Sequence, residues 1–167
     1  MKYEFVPGDE IVITPGRTVK RIRALVAIAA LGISIGDIGG YVESDKNLEQ
    51  VSGDAWVYGD AWVSGNARVY GDARVSGDAR VSGNAWVYGD ARVSGDKFIF
   101  WASKVGRDNG TLTVFNGKNG LVVTRGCFIG SVDEFLSRSE RGHDDDTHLE
   151  YRLLIEVAVS RITRGLK

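Results

Sequence analysis

Residues 51–96 read VSGDAW VYGDAW VSGNAR VYGDAR VSGDAR VSGNAW VYGDAR VSGD, one six-residue frame repeated with hardly a substitution. Self-similarity at a short fixed period marks a solenoid, in which each unit buries its apolar face by stacking on the next. Val occupies positions 51, 57, 63, 69, 75, 81, 87 and 93, Ala occupies 55, 61, 67, 73, 79, 85 and 91, and a Gly precedes Asp or Asn in every unit. A β-branched Val is stiff and suits an inward strand position, while Ala two residues earlier is small enough for a crowded interior. The Gly-Asp and Gly-Asn pairs supply tight corners, where a bulky side chain would be penalised.

This frame resembles the hexapeptide-repeat family, whose pattern is an aliphatic residue, two or three variable positions, a small residue and one more. The resemblance implies a mainly β protein built on a left-handed parallel β-helix, three hexapeptides to a triangular coil, with coils about 4.8 Å apart. Asn66 and Asn84, the only Asn corners, lie 18 residues apart, as do Tyr70 and Tyr88, so both pairs would stack on such a coil. The register runs on through Ile99 and Val105, although Lys97, Trp101 and Ser103 break the other columns.

An open solenoid end exposes strand edges and apolar interior, so both flanks are expected to be caps. Residues 1–50 hold the extended GRTVKRIRAL, the apolar stretch Ala24–Ile35 read as buried strand, and GDIGGYVESDKNLEQ leading into the repeat: an N-terminal β cap and irregular first coil. Residues 51–105 are the β-helix. Residues 106–167 form a C-terminal α+β cap ending in a helix, with a hairpin of TLTVF and LVVTRGCF joined through NGKNG. Ser131 with Glu134 and Thr147 with Glu150 read as capping boxes, and the second helix carries Leu149, Leu153, Leu154, Val157 and Ile162 as an apolar stripe.

The flanks and repeat together resemble short hexapeptide-repeat proteins of phages and prophages, in YEF (3–5), GRT (16–18), RIRAL (21–25), GDIGGYVE (36–43), NL (47–48) and FIFWASKVGRDN. That resemblance implies a phage-associated protein of the host-cell cytoplasm. Composition agrees with such a home. Lys and Arg total 21 against 22 Asp and Glu, so bulk charge points neither to nucleic acid nor to a membrane as partner. Cys127 is the single cysteine and has no disulfide partner within the chain, and no secretory leader precedes MKYEF. Ala24–Ile35 is about a dozen residues, short of the roughly 20 that cross a bilayer.

No catalytic constellation stands out. Hexapeptide-repeat acyltransferases typically set a histidine against the acceptor hydroxyl, and this repeat contains none. Zinc chemistry of the carbonic-anhydrase type would need three histidines, against two here. His143, Asp144, Asp145, Asp146 and His148 read as a solvated loop whose carboxylates favour the following helix N-terminus rather than as a metal site. Cys127 reads as a small buried hydrophobe. Neither a cofactor nor a metal is expected.

The outward positions are more informative. Sorted at 18-residue intervals they give three faces, one with Gln50, Arg68, Trp86 and Lys104 beside Tyr70 and Tyr88, one with Trp56, Arg74 and Arg92 beside Tyr58, and one with Trp62, Arg80 and Phe98. Arg and aromatic residues thus form ladders, suited to subunit packing or to an anionic, nucleotide-like ligand whose base stacks on an indole and whose phosphate meets a guanidinium. Arg21 and Arg23 flank Ile22 and share one side of a strand. The expectation is a non-enzymatic homo-oligomer, a trimer by the family pattern, that holds the ligand at its subunit junctions through Arg21, Arg23, Trp56, Trp62 and Arg74, with Trp86, Tyr70 and Tyr88 at the interface. Sequestration of a host immune signal would suit a phage setting. A structural assembly protein and an acyltransferase are the alternatives.

Overall fold

The Val and Ala columns can leave water together only if the chain coils so that both line one narrow interior. The computed structural model, which describes residues 1–167, shows that interior. The Val side chains from Val57 to Val93 and the Ala side chains from Ala55 to Ala91 are at most 1% exposed, and they belong to one core with Leu48, Trp56, Ile99 and Phe115. Arg68, Arg74 and Arg80, each next to a buried Val, point outward.

Each hexapeptide contributes a two-residue strand: β4 (Trp56–Val57), β5 (Trp62–Val63), β6 (Arg68–Val69), β7 (Arg74–Val75), β8 (Arg80–Val81), β9 (Trp86–Val87) and β10 (Arg92–Val93). Strands β4, β7 and β10 pair in parallel, as do β5 with β8 and β6 with β9, so Trp56 lies on Arg74 and Arg74 on Arg92. Corner side chains stack likewise: Asn66 Nδ2 donates to Asn84 Oδ1 at 3.1 Å, and the Tyr70 and Tyr88 rings stack at 4.5 Å and 13°. Gly71 shows why the corners take no other residue, with a φ of +69° and a Cβ there falling 2.9 Å from the amide nitrogen of Gly89.

Upstream, β1 (Tyr3–Thr14) and β2 (Arg17–Ala24) form an antiparallel hairpin, and β3 (Ile38–Val42) joins it to the parallel β5. Here the coil is irregular. Val42 pairs with Val63 and Leu48 with Val69, a spacing of 21 residues where Val57 and Val75 are spaced by 18. The three extra residues loop out after Leu48. Val51, in frame by sequence period, therefore falls in that loop and is 92% exposed rather than buried.

Downstream, β11 (Ile99–Val105), β12 (Gly110–Gly117), β13 (Gly120–Arg125) and β14 (Phe128–Ser131) make an antiparallel meander. Helices α1 (Val132–Gly142) and α2 (Asp145–Gly165) bury Phe135, Tyr151, Ile155, Ala158 and Ile162 against it in a second core. The meander closes the last coil by supplying partners for its free backbone groups. Trp86 N–H donates to Thr113 Oγ1 (3.2 Å), Thr124 Oγ1 donates to Trp86 O (2.9 Å), and Lys118 N–H donates to Asp90 O (3.1 Å). Both threonines are buried, so their hydroxyls spend their hydrogen bonds where water cannot reach.

Several expectations are corrected. Ala24–Ile35 is not a buried strand: it holds the end of β2 and a short 3₁₀ turn at Ala29–Leu31, with Val26 and Ile35 exposed. The Val column does not pass through Val105, which lies in the second core because β11 pairs antiparallel with β12. Cys127 is exposed, in the turn between β13 and β14. The capping box of Ser131 and Glu134 is present, but α2 starts earlier than Thr147, capped by Asp144, whose carboxylate accepts from Thr147 N–H at 2.8 Å. The α2 stripe is also rotated, leaving Leu149, Leu153 and Val157 exposed. No helix is long and apolar enough to cross a membrane.

Candidate functional site

Between the β6–β9 face of the solenoid and the meander lies a half-enclosed cleft of about 410 Å³, a volume within the range of small-ligand sites. Its solenoid wall is Arg68 on β6 and Trp86 on β9, which pair directly, with the guanidinium carbon 5.9 Å from the indole centroid. Tyr70 meets Trp86 edge-on at 6.2 Å and holds the indole from behind. Tyr88 in turn donates to Phe128 O at 3.1 Å, so this aromatic column is anchored to the meander rather than left free. Burial pushes the Tyr70 phenol up, to about 12, with Tyr88 beside it adding to the shift.

Lys46 stands at the rim on a turn set by its neighbour Asn47. That buried amide accepts from Ser44 N–H (2.8 Å) and donates to Gly65 O (3.0 Å) and Ala67 O (2.9 Å), clamping the turn to the coil that carries Arg68. Arg125, at the end of β13, forms the opposite wall. Its Nε donates to the phenol oxygen of Tyr151 at 2.9 Å, and it lies across Gly110, where any Cβ would collide with the guanidinium. The Asn66 and Asn84 amides edge the floor.

Three cations thus converge on one cleft. None of its 13 lining residues is acidic, and Lys46, Arg68 and Arg125 take part in none of the chain's ion pairs. Asp45 and Glu49 border the adjoining groove that shares Lys46, Arg68 and Trp86, so negative charge is most favoured towards Arg125. Neither histidine lines the cleft.

The residues expected from sequence lie elsewhere. Arg21 bonds Asp9 Oδ2 (3.1 Å), Gly39 O (3.0 Å) and Gly59 O (2.7 Å), and sits 4.0 Å over the Tyr41 ring. Arg23 is paired with Glu4. Trp56 is 1% exposed, packed edge-on to Tyr3 at 6.3 Å, so its faces are closed to a base. Trp62 is half-buried between Tyr41 and Arg80 in the sheet, and Arg74 lines a separate shallow groove with Tyr58 and Arg92. Within one protomer the five do not come together. Of the cleft residues, the pair of Arg68 and Trp86 was visible as a column; Lys46 and Arg125 come from the flanks, where no period marks them.

Comparison with known proteins adds the class of the repeat. Residues 50–65, 61–75 and 73–89 match a family model described as YdcK Beta solenoid repeat, so this region is a β-solenoid repeat by sequence as well as by architecture. No curated protein and no solved structure matches the chain.

Proposed function

We propose that the chain is a non-enzymatic binding protein for a small anionic, nucleotide-like ligand held in this cleft. The observation that carries the reading is the convergence of Lys46, Arg68 and Arg125, unpaired with carboxylate, around the partly exposed Trp86. Guanidinium groups offer forked donors to phosphate oxygens, and the indole offers a stacking face for a base. The cleft side chains include no His, Cys, Asp or Glu, the residue types most used as general acid or base, which supports binding over turnover. The resemblance to phage and prophage proteins supports sequestration of a nucleotide-like host signal as the use of such a site. We also infer that the solenoid is the left-handed hexapeptide type, three hexapeptides to the coil with capped ends, as the 18-residue spacing of Val57 and Val75 supports; a crystal structure tests the hand.

Calorimetry with mononucleotides, cyclic dinucleotides and ADP-ribose tests the binding reading. Arg68→Ala and Lys46→Ala should each weaken binding about tenfold or more, since a charge-assisted hydrogen bond contributes ~1.5–3 kcal/mol. Arg23→Ala should leave affinity unchanged, its charge being spent on Glu4. If the wild-type protein binds none of these anions, or if Arg23→Ala weakens binding as much as Arg68→Ala, the cleft is not the site.

A further inference from the structure

Helix α2 turns Tyr151, Ile155, Ala158 and Ile162 to the core, yet its opposite side is not the polar face that solvent would select. Leu149, Leu153 and Val157 recur every fourth residue there and are 41%, 51% and 49% exposed. Charge along this face is divided by end apart from Glu156, which lines the same groove as Leu153 and Val157 near the middle of the helix. Asp146 lies seven residues before Leu153 and Arg164 eleven after it, two and three turns away, so both share its side of the helix. Asp145 adds to the acidic end and Arg161 to the basic end, and both are exposed, while the Glu150 carboxylate is turned to the meander, where it accepts from Gly106 N–H at 2.7 Å. Asp146, Arg161 and Arg164 take part in none of the chain's ion pairs.

We propose that this face binds a second copy of the chain, with the two α2 helices antiparallel about a twofold axis at the level of residue 155. Asp146 and Arg164 stand nine residues either side of that level. The axis therefore brings Asp146 of each copy to Arg164 of the other, while Leu153 meets Val157 at the centre. A parallel arrangement would set like charges together, and a partner of uniform charge would be repelled at one end of the face. The helix is 21 residues long, about 31 Å, so the contact is narrow and the dimer weak, with dissociation in the micromolar range. The pairing rests on α2 alone and is independent of whether the cleft holds a ligand.

Sedimentation of the full chain at about 100 µM, a concentration that populates a complex of micromolar affinity, should show a dimer. Leu153→Glu should be monomeric with an unchanged melting temperature, since that side chain is half exposed. Asp146→Arg and Arg164→Asp should each be monomeric alone, and an equimolar mixture of the two should dimerise, because both cross-pairs then join opposite charges. A wild-type monomer at this concentration, an oligomer that survives Leu153→Glu, or a mixture that stays monomeric would each overturn the pairing.

Discussion

Val75 illustrates how little tolerance the solenoid interior has. It is fully buried, it pairs on one side with Val57 and on the other with Val93, and Ala73 and Ala79 fill the space around it. Val75→Asp places a carboxylate where no partner exists, a penalty well above the ordinary range for point substitutions and of order 4 kcal/mol or more. The expected outcome is insoluble protein or a collapsed melting temperature in circular dichroism. Thr124 makes the complementary point for a polar group. Its hydroxyl bonds the carbonyl of Trp86, a strand that has no further coil beyond it. Thr124→Val keeps the shape but leaves that carbonyl bare, which should cost about 1–3 kcal/mol in urea unfolding. It should also loosen the cleft, because the same contact holds the Trp86 wall to the meander.

Among the elements, the two helices depend on their first turns. Ser131 and Glu134 exchange hydrogen bonds across the start of α1, at 3.1 Å and 2.8 Å, so Ser131→Ala should cost about 1 kcal/mol, read as a lowered urea midpoint. At α2 the cap is ionic. The Thr147 backbone N–H holds the Asp144 carboxyl below its ordinary value, with the Thr147 side chain and Arg107 reinforcing the shift. A depressed folded value means that this contribution is present above the unfolded value near 3.8 and is lost as pH falls through the lower folded one. Asp144→Asn should therefore flatten the acid limb of the stability profile while leaving its neutral plateau nearly unchanged, because an amide still caps. The 3₁₀ turn at Ala29–Leu31 has no side-chain cap, and its chain reverses at Gly32, at φ +67°. That reversal is why the apolar stretch around it does not extend into a strand.

For the molecule as a whole, the clearest titration lies in alkali. Burial raises the phenols of Tyr3, Tyr41, Tyr58, Tyr70 and Tyr88 above the ordinary value of 10.0. Raised folded values mean that their contribution is complete below that unfolded value and is lost as pH climbs through the folded ones, about 12 for Tyr70. Lys2 opposes them, since burial lowers its ammonium and deprotonation there favours the fold, but it is one group against five. The melting temperature should hold steady to about pH 10 and then fall as phenolate absorbance rises. Phenolate appearing well before any loss of structure would mean that these rings are not buried. Tyr3 joins the hairpin to the first coil through Leu48 O, and Tyr70 and Tyr88 join the coils to the meander, so alkali should release both ends of the solenoid together.

The repeat was legible because burial in a stacked coil acts on every unit alike. Val and Ala therefore recur in the chain wherever they recur in space, and the Asn and Tyr stacks followed from the same period. Where the frame slips by three residues after Leu48, period misread Val51, since nothing local distinguishes a looped Val from an inward one. The exposed face of α2 was misread for a related reason: apolar spacing marks a stripe but does not say which side of the helix the meander takes. The cleft lay still further from view. Lys46 and Arg125 are 79 positions apart in the chain, and they meet Arg68 and Trp86 only because Asn47 clamps one turn to a coil and two threonines hold the meander against the last one. Such a meeting depends on long-range packing, which leaves no periodic mark on the residues it brings together.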